Sequence, residues 1–136
     1  MATTKIEATN REFLELFRGL EAVKTIKGAR FAVLVGKNLK ELRHVLEPIE
    51  KAAQPTFEFQ EVSVKMQDLA EKEDKEGMTS LEDQNQILID ERKVQLQAVE
   101  DMLGEGANVY LHMIKEAQLP EEITGEHIEK LIKIIE

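Results

Sequence analysis

Apolar residues recur along this chain at steps of three and four, and the polar residues between them mark where each run begins and ends. Phe13, Leu16, Phe17, Leu20 and Val23 define one face of an amphipathic helix over roughly 10–24. Thr9-x-x-Glu12 stands in front of it as a capping box. The Thr hydroxyl accepts the amide of residue 12, and the Glu carboxylate accepts the amide of residue 9. Gly19 weakens this helix by about 1 kcal/mol relative to Ala. Thr25-Ile26-Lys27-Gly28 breaks the pattern. A longer face then follows in Phe31, Val35, Leu39, Leu42, Leu46 and Ile49, predicting a helix from 29 to about 53. Pro48 lies inside it, removes a backbone donor, and is expected to kink or end the helix near its last turn.

After Pro55 two periods compete. Phe57-Glu58-Phe59 and Val62-Ser63-Val64 alternate as a strand does, whereas Phe59, Val62, Met66 and Leu69 keep helical spacing. The good helix formers of 65–72 favour a helix over 56–72, with a strand start as the alternative. Glu71 to Gly77 reads as a helix end and an exposed turn, and the polar stretch to about 86 as loop. Ile87-Leu88-Ile89 predicts a short strand. Asp90 is placed to cap a helix from 91 to about 103, with Leu96, Val99 and Leu103 inward and Gly104 and Gly106 ending it. Val109, Leu111 and Met113 alternate with polar neighbours, so 108–114 is predicted as a strand paired with 86–89. Thr124 can cap a last helix over 125–135, facing inward with Ile128, Leu131, Ile132 and Ile135. The expected fold class is mainly α: four to five helices, with room for one short antiparallel strand pair. These form a single elongated domain over 1–136, with 29–53 as its spine.

A length of 136 residues suits one domain, and 42% hydrophobic residues with only 4% aromatics imply a core of Leu, Ile, Val and Met. The chain has no Cys, which excludes disulfides, thiol catalysis and Cys-ligated zinc. Met1 to Glu7 contains no apolar stretch for a signal peptide. The longest apolar run, Phe31 to Val35, is far short of the ~20 residues of a membrane span. A cytoplasmic protein with no membrane contact is expected.

Charge changes the picture more. Residues 1–55 carry 10 Lys+Arg against 7 Asp+Glu, a net of +3, and residues 56–136 carry 8 against 20, a net of −12. A pI near 4.9 argues against general nucleic-acid binding, which needs cations to displace counterions from phosphates. The basic residues cluster as Lys24, Lys27, Arg30, Lys37, Lys40 and Arg43, with Glu41 the one acid between 24 and 43. Lys37, Lys40 and His44 share a helix face. The cluster reads either as a dock for an acidic partner or a second copy's acidic half, or as a solvated helix face. On the other side of the balance, Glu71, Glu73, Asp74 and Glu76 are interrupted by Lys72 and Lys75. They lack the alternating oxygen ligands of a calcium loop, which leaves a solvated turn or a contact for a basic partner. The candidate partner-binding residues are therefore Arg30, Lys37, Lys40, Arg43, Glu73, Asp74 and Glu76.

No catalytic, cofactor or metal set is legible. His44, His112 and His127 are scattered and none has HExxH spacing. Ser63 and Ser80 lie outside any G-x-S-x-G. Gly104-x-Gly106 lacks the third glycine and the preceding strand of a dinucleotide loop. Glu121-Glu122 follow Pro120 and suit the N-terminal end of a helical turn. Several amphipathic stripes in a small chain do point to oligomerisation or a protein partner, because a stripe left partly uncovered is commonly buried between molecules.

Lys27-Gly28-Ala29-Arg30-Phe31-Ala32 followed by Gly36-Lys37-Asn38-Leu39-Lys40 resembles the helix that opens a family of small uncharacterised tailed-phage proteins. The turn Glu73-Asp74-Lys75-Glu76-Gly77 is similar to their acidic turn ending in Gly. Leu119-Pro120-Glu121-Glu122-Ile123-Thr124 resembles their approach to a short closing helix. The resemblance runs over about 25–135; the sequence departs from it at Val33-Leu34-Val35, where a nearby Tyr is expected, and lacks an aromatic before Ile87. It implies a phage-encoded protein of the host cytoplasm or the virion, with no assigned catalytic residue. The expected function is non-enzymatic, by protein–protein contact in virion assembly or as a minor virion component. The first alternative is an acidic inhibitor of a host nucleic-acid-binding or defence protein. The second is an enzyme whose site is assembled only by tertiary clustering.

Overall fold

The computed structural model describes residues 3–136. In chain order these form β1 (Thr3–Thr9), α1 (Asn10–Val23), α2 (Ala29–Ala53), α3 (Phe57–Glu71), α4 (Lys75–Gln84), α5 (Gln86–Gly104), β2 (Gly106–His112) and α6 (Gly125–Leu131). Short 3-10 turns lie at Glu116–Gln118 and Ile132–Ile134. The protein is mainly helical, with six α-helices among the described residues rather than four or five, and one antiparallel strand pair. By contact the chain divides into two compact units. One runs up to Ile49 and resumes as Met102–Glu136, and the other is Glu50–Asp101.

The first unit is built on the expected local signals. Thr9 and Glu12 form the capping box: Glu12 N–H donates to Thr9 Oγ1 at 3.2 Å, and Thr9 N–H donates to Glu12 Oε1 at 3.1 Å. From that start α1 buries Phe13, Leu16, Leu20 and Val23, and α2 buries Phe31, Val35, Leu39, Leu42, Leu46 and Ile49. Pro48 does not end α2, which continues to Ala53. β2 contributes Val109 and Leu111, and the C-terminal segment contributes Leu131 and Ile134.

The strand pairing differs from expectation. β2 pairs not with 86–89 but with β1, in a register that sets Ile6 opposite Val109 and Lys5 opposite Tyr110. Both core-facing residues thus share one side, and the polar and amphipathic ones share the other. Ile87, Leu88 and Ile89 belong to α5, which begins at Gln86 rather than 91. The last helix is shorter than expected. After Leu131 the chain tightens into a 3-10 turn, which buries Ile134 and leaves Ile132 exposed.

The second unit is helical throughout. Thr56 caps α3, accepting from Phe59 N–H at 3.2 Å, so the strand alternative for 57–64 is not taken. At the far end Asp74 N–H donates to Leu69 O at 3.0 Å, and Glu73 adopts φ +57°. That is a Schellman-like close with Glu at the left-handed position glycine usually takes. Asp74 then caps α4, accepting from Gly77 N–H at 2.9 Å, so 75–84 is helix and not loop. Arg92 Nη1 donates to Ala53 O at 2.8 Å, and Gln95 Nε2 donates to Ala52 O at 2.7 Å and Gln54 O at 2.6 Å. These bonds satisfy the carbonyls that the end of α2 leaves unpaired.

Candidate functional site

The basic residues singled out by the sequence divide into engaged and unengaged sets. Arg43 reaches back to α1, where Nη2 lies 3.4 Å from Glu21 Oε1 and the guanidinium sits 5.8 Å from the centre of the Phe17 ring. Lys24 pairs with the other oxygen of Glu21. The Lys24 ammonium holds the Glu21 carboxyl below its ordinary value, and the charge of Arg43 adds to this. Arg43 therefore works at the α1–α2 contact. Arg30, Lys37 and Lys40 stand exposed on the outward side of α2, with His44 on the same side, and no ion pair among the described residues engages them. Lys27 precedes the helix in the same state.

The acidic candidates are placed by backbone needs as much as by charge. Asp74 is the N-cap of α4, and Glu73 occupies the left-handed turn position. Glu76 lies exposed in the first turn of α4, where a carboxylate favours the helix dipole. The three are neighbours in one turn of the second unit, and they do not converge on a cation site. Among the described residues no group of three or more His, Asp or Glu is arranged to hold a metal ion. No helix there is long and apolar enough to cross a membrane.

Sequence reasoning missed the main feature of the second unit, which is how little of its apolar content is covered. Across Glu50–Asp101 the one hydrophobic residue that is buried, among the described residues, is Val62, and even it is 8% exposed. Phe57 is 70%, Val64 67%, Ile87 75% and Val94 71% exposed. Leu96, expected inward, is exposed as well. An open groove of about 550 Å³ lies between α3, α4 and α5, floored by Phe59, Val62, Met66 and Ile89 and edged by Glu82 and Lys93. Arg92 stacks over Phe59 at 5.7 Å from the ring centre. The first unit carries a larger cleft of about 700 Å³, whose lining includes Lys27, Arg30, Lys115, Glu121 and Glu122. The signal for the uncovered surface was present in the sequence. Phe57 and Val64, like Ile87 and Val94, are seven residues apart and lie off the inward faces of their helices.

Charge follows the two units. Glu50–Asp101 carries 14 Asp+Glu against 6 Lys+Arg, a net of −8, and the rest of the chain carries 13 against 12, a net of −1. The acidity of the chain is thus almost entirely a property of the unit with the exposed apolar side chains. Comparison with known proteins adds no relative: no protein-family model, no curated protein and no solved structure matches this chain.

Proposed function

We propose that this is a non-enzymatic phage protein that acts by protein–protein contact, in virion assembly or as a minor virion component. The observation that carries the reading is the uncovered apolar surface of the second unit. A three-helix unit that buries Val62 while Phe57, Val64, Ile87 and Val94 face solvent gains little from folding by itself. Such surfaces are characteristic of residues that become covered on association. The phage assignment is supported by the sequence resemblance over about 25–135. Capture of partners by the tagged full chain from infected-cell lysate, at low and at high salt, tests the reading. Capsid or tail proteins retained at both salts are expected for an apolar contact. Recovery of no protein at either salt contradicts it.

A second reading is favoured by the net charge of −8 on the same unit: an acidic inhibitor that occupies the basic surface of a host nucleic-acid-binding or defence protein. Contacts made mainly by exposed charges weaken steeply as ionic strength rises. Capture of a host nucleic-acid enzyme at low salt only is the result this reading requires.

A further inference from the structure

Two helices of this chain display stripes of matching length and opposite charge. On α2, Arg30, Val33, Lys37, Lys40 and His44 follow one another at steps of three and four, and all are exposed, Val33 at 48%. They lie on the side of α2 away from the buried Phe31, Val35, Leu39 and Leu42. On α3, Phe57, Glu61, Val64, Asp68 and Glu71 follow at steps of four and three, away from Phe59, Val62, Met66 and Leu69, and they too are exposed. Each stripe runs about 21 Å along its helix at 1.5 Å per residue. One carries three cations that no ion pair among the described residues engages, and the other carries three carboxylates. Val33 sits between the charges of the first and Val64 between those of the second, which Phe57 opens.

We infer that the acidic stripe of α3 in one copy packs on the basic stripe of α2 in a second copy. This rests on the reading that the protein acts by contact, and it names the partner as a second copy of this chain. Opposite charge decides which stripe meets which. Two α3 stripes face to face would set carboxylate against carboxylate, and two α2 stripes would set cation against cation. Each copy offers one stripe of each kind, so two copies can satisfy both contacts about a two-fold axis, or association can continue into a ring or filament. Val33, Phe57 and Val64 supply the apolar area, and the charges supply register and rate of encounter. Lys72 pairs with Asp68 at 3.1 Å, but both are exposed, and such a pair is weak enough to yield to an incoming cation.

Sedimentation velocity of the full chain over a range of concentrations tests this, with two charge-reversed variants. One is Lys37→Glu with Lys40→Glu, and the other is Glu61→Lys with Glu71→Lys. The wild type is expected to sediment as species larger than a monomer, growing with concentration and shrinking at high salt. Each variant alone is expected to lose affinity for itself by roughly tenfold or more. An equimolar mixture of the two is expected to regain association, because each presents the stripe the other now needs; that recovery also shows both variants folded. Variants that associate like the wild type, or a mixture that does not recover, overturn the inference. A wild type that stays monomeric at every concentration overturns it too. A monomer that still captures capsid or tail proteins leaves the contact function standing, and a monomer that captures none removes both.

Discussion

The side chain of Asn38, in the middle of α2, holds the backbone of His112 at the end of β2 by a reciprocal pair of hydrogen bonds. Nδ2 donates to the His112 carbonyl at 2.9 Å, and Oδ1 accepts from the His112 N–H at 2.7 Å. Asn38 is fully buried, and its carboxamide presents the donor and acceptor that a third strand would offer to the free edge of β2. Replacing it by Leu strands both backbone groups in the core, so Asn38→Leu should destabilise by about 2–4 kcal/mol in urea unfolding. Asn38→Asp keeps the acceptor but places a carboxylate against the His112 carbonyl. Burial raises the pKa of such a carboxyl, so its penalty should shrink as pH falls and the protonated acid regains a donor.

Glu12 links the start of α1 to the C-terminal segment. Lys133 Nζ lies 2.8 Å from its Oε2, and that bond, with the Thr9 amide on Oε1, holds its carboxyl below the ordinary 4.5. A carboxyl with a lowered folded pKa binds fewer protons folded than unfolded. Its stabilisation is complete above the unfolded value and is lost as pH falls through the folded one. Glu12→Gln should therefore lower the urea midpoint near neutral pH by a small amount. The wild-type and variant midpoints should converge as pH drops below 4.5. Midpoints that stay equally separated down to about pH 3 would speak against the Lys133 pairing.

Two glycines give opposite expectations. A Cβ on Gly19 would stand 3.0 Å from Lys130 Cβ and 3.4 Å from Leu131 Cδ2, where α1 and α6 meet. Gly19→Val should cost roughly 1–3 kcal/mol through that crowding. Gly36, in α2, has nothing within 4 Å of an added Cβ. Gly36→Ala should stabilise by about 0.5–1 kcal/mol from helix propensity alone. Thermal melts of the two variants displaced in opposite directions are the expected result.

Glu73 and Asp74 separate backbone effects from charge effects in the acidic turn. Glu73→Gly relieves a left-handed residue and should stabilise by up to about 1 kcal/mol, while Asp74→Ala removes the α4 cap and should cost about 1 kcal/mol. Partner binding should therefore be probed first through Glu76→Lys, whose side chain has neither duty. Glu76→Lys should cost no more than the ~0.3–1 kcal/mol of its helix-dipole contact, and binding lost in the folded variant is the result that assigns the turn to an interface.

The legible parts of the fold were those whose signal is local. The Thr9–Glu12 box and the three-and-four spacing from Phe13 to Val23 gave α1 closely, and Phe31 to Ile49 gave α2. The α4 helix was read as loop because it buries no residue and so carries no apolar stripe; its evidence is the cap at Asp74. Ile87-Leu88-Ile89 looked like a strand because three adjacent apolar residues imply two-sided burial, yet Ile87 faces solvent on α5. β1 carries only Ile6 and Ala8 as apolar residues, and its partner lies about a hundred positions away, so periodicity alone could not place it. At the candidate site the residue types were legible. The tertiary pairing of Arg43 with Glu21 was not, and of the bare apolar side chains Ile87 was hidden by its strand-like neighbours.

The central claim is that the exposed apolar residues of Glu50–Asp101 make the functional contact. Its most direct measurement is capture from infected-cell lysate by the wild type and by Phe57→Ser with Ile87→Ser, with circular dichroism to check that the variant folds. Both side chains are largely solvent-facing, so the variant should melt like the wild type. The variant is expected to lose the captured proteins at low and high salt alike. A folded variant that captures the same proteins in the same amounts would show that these side chains do not make the contact.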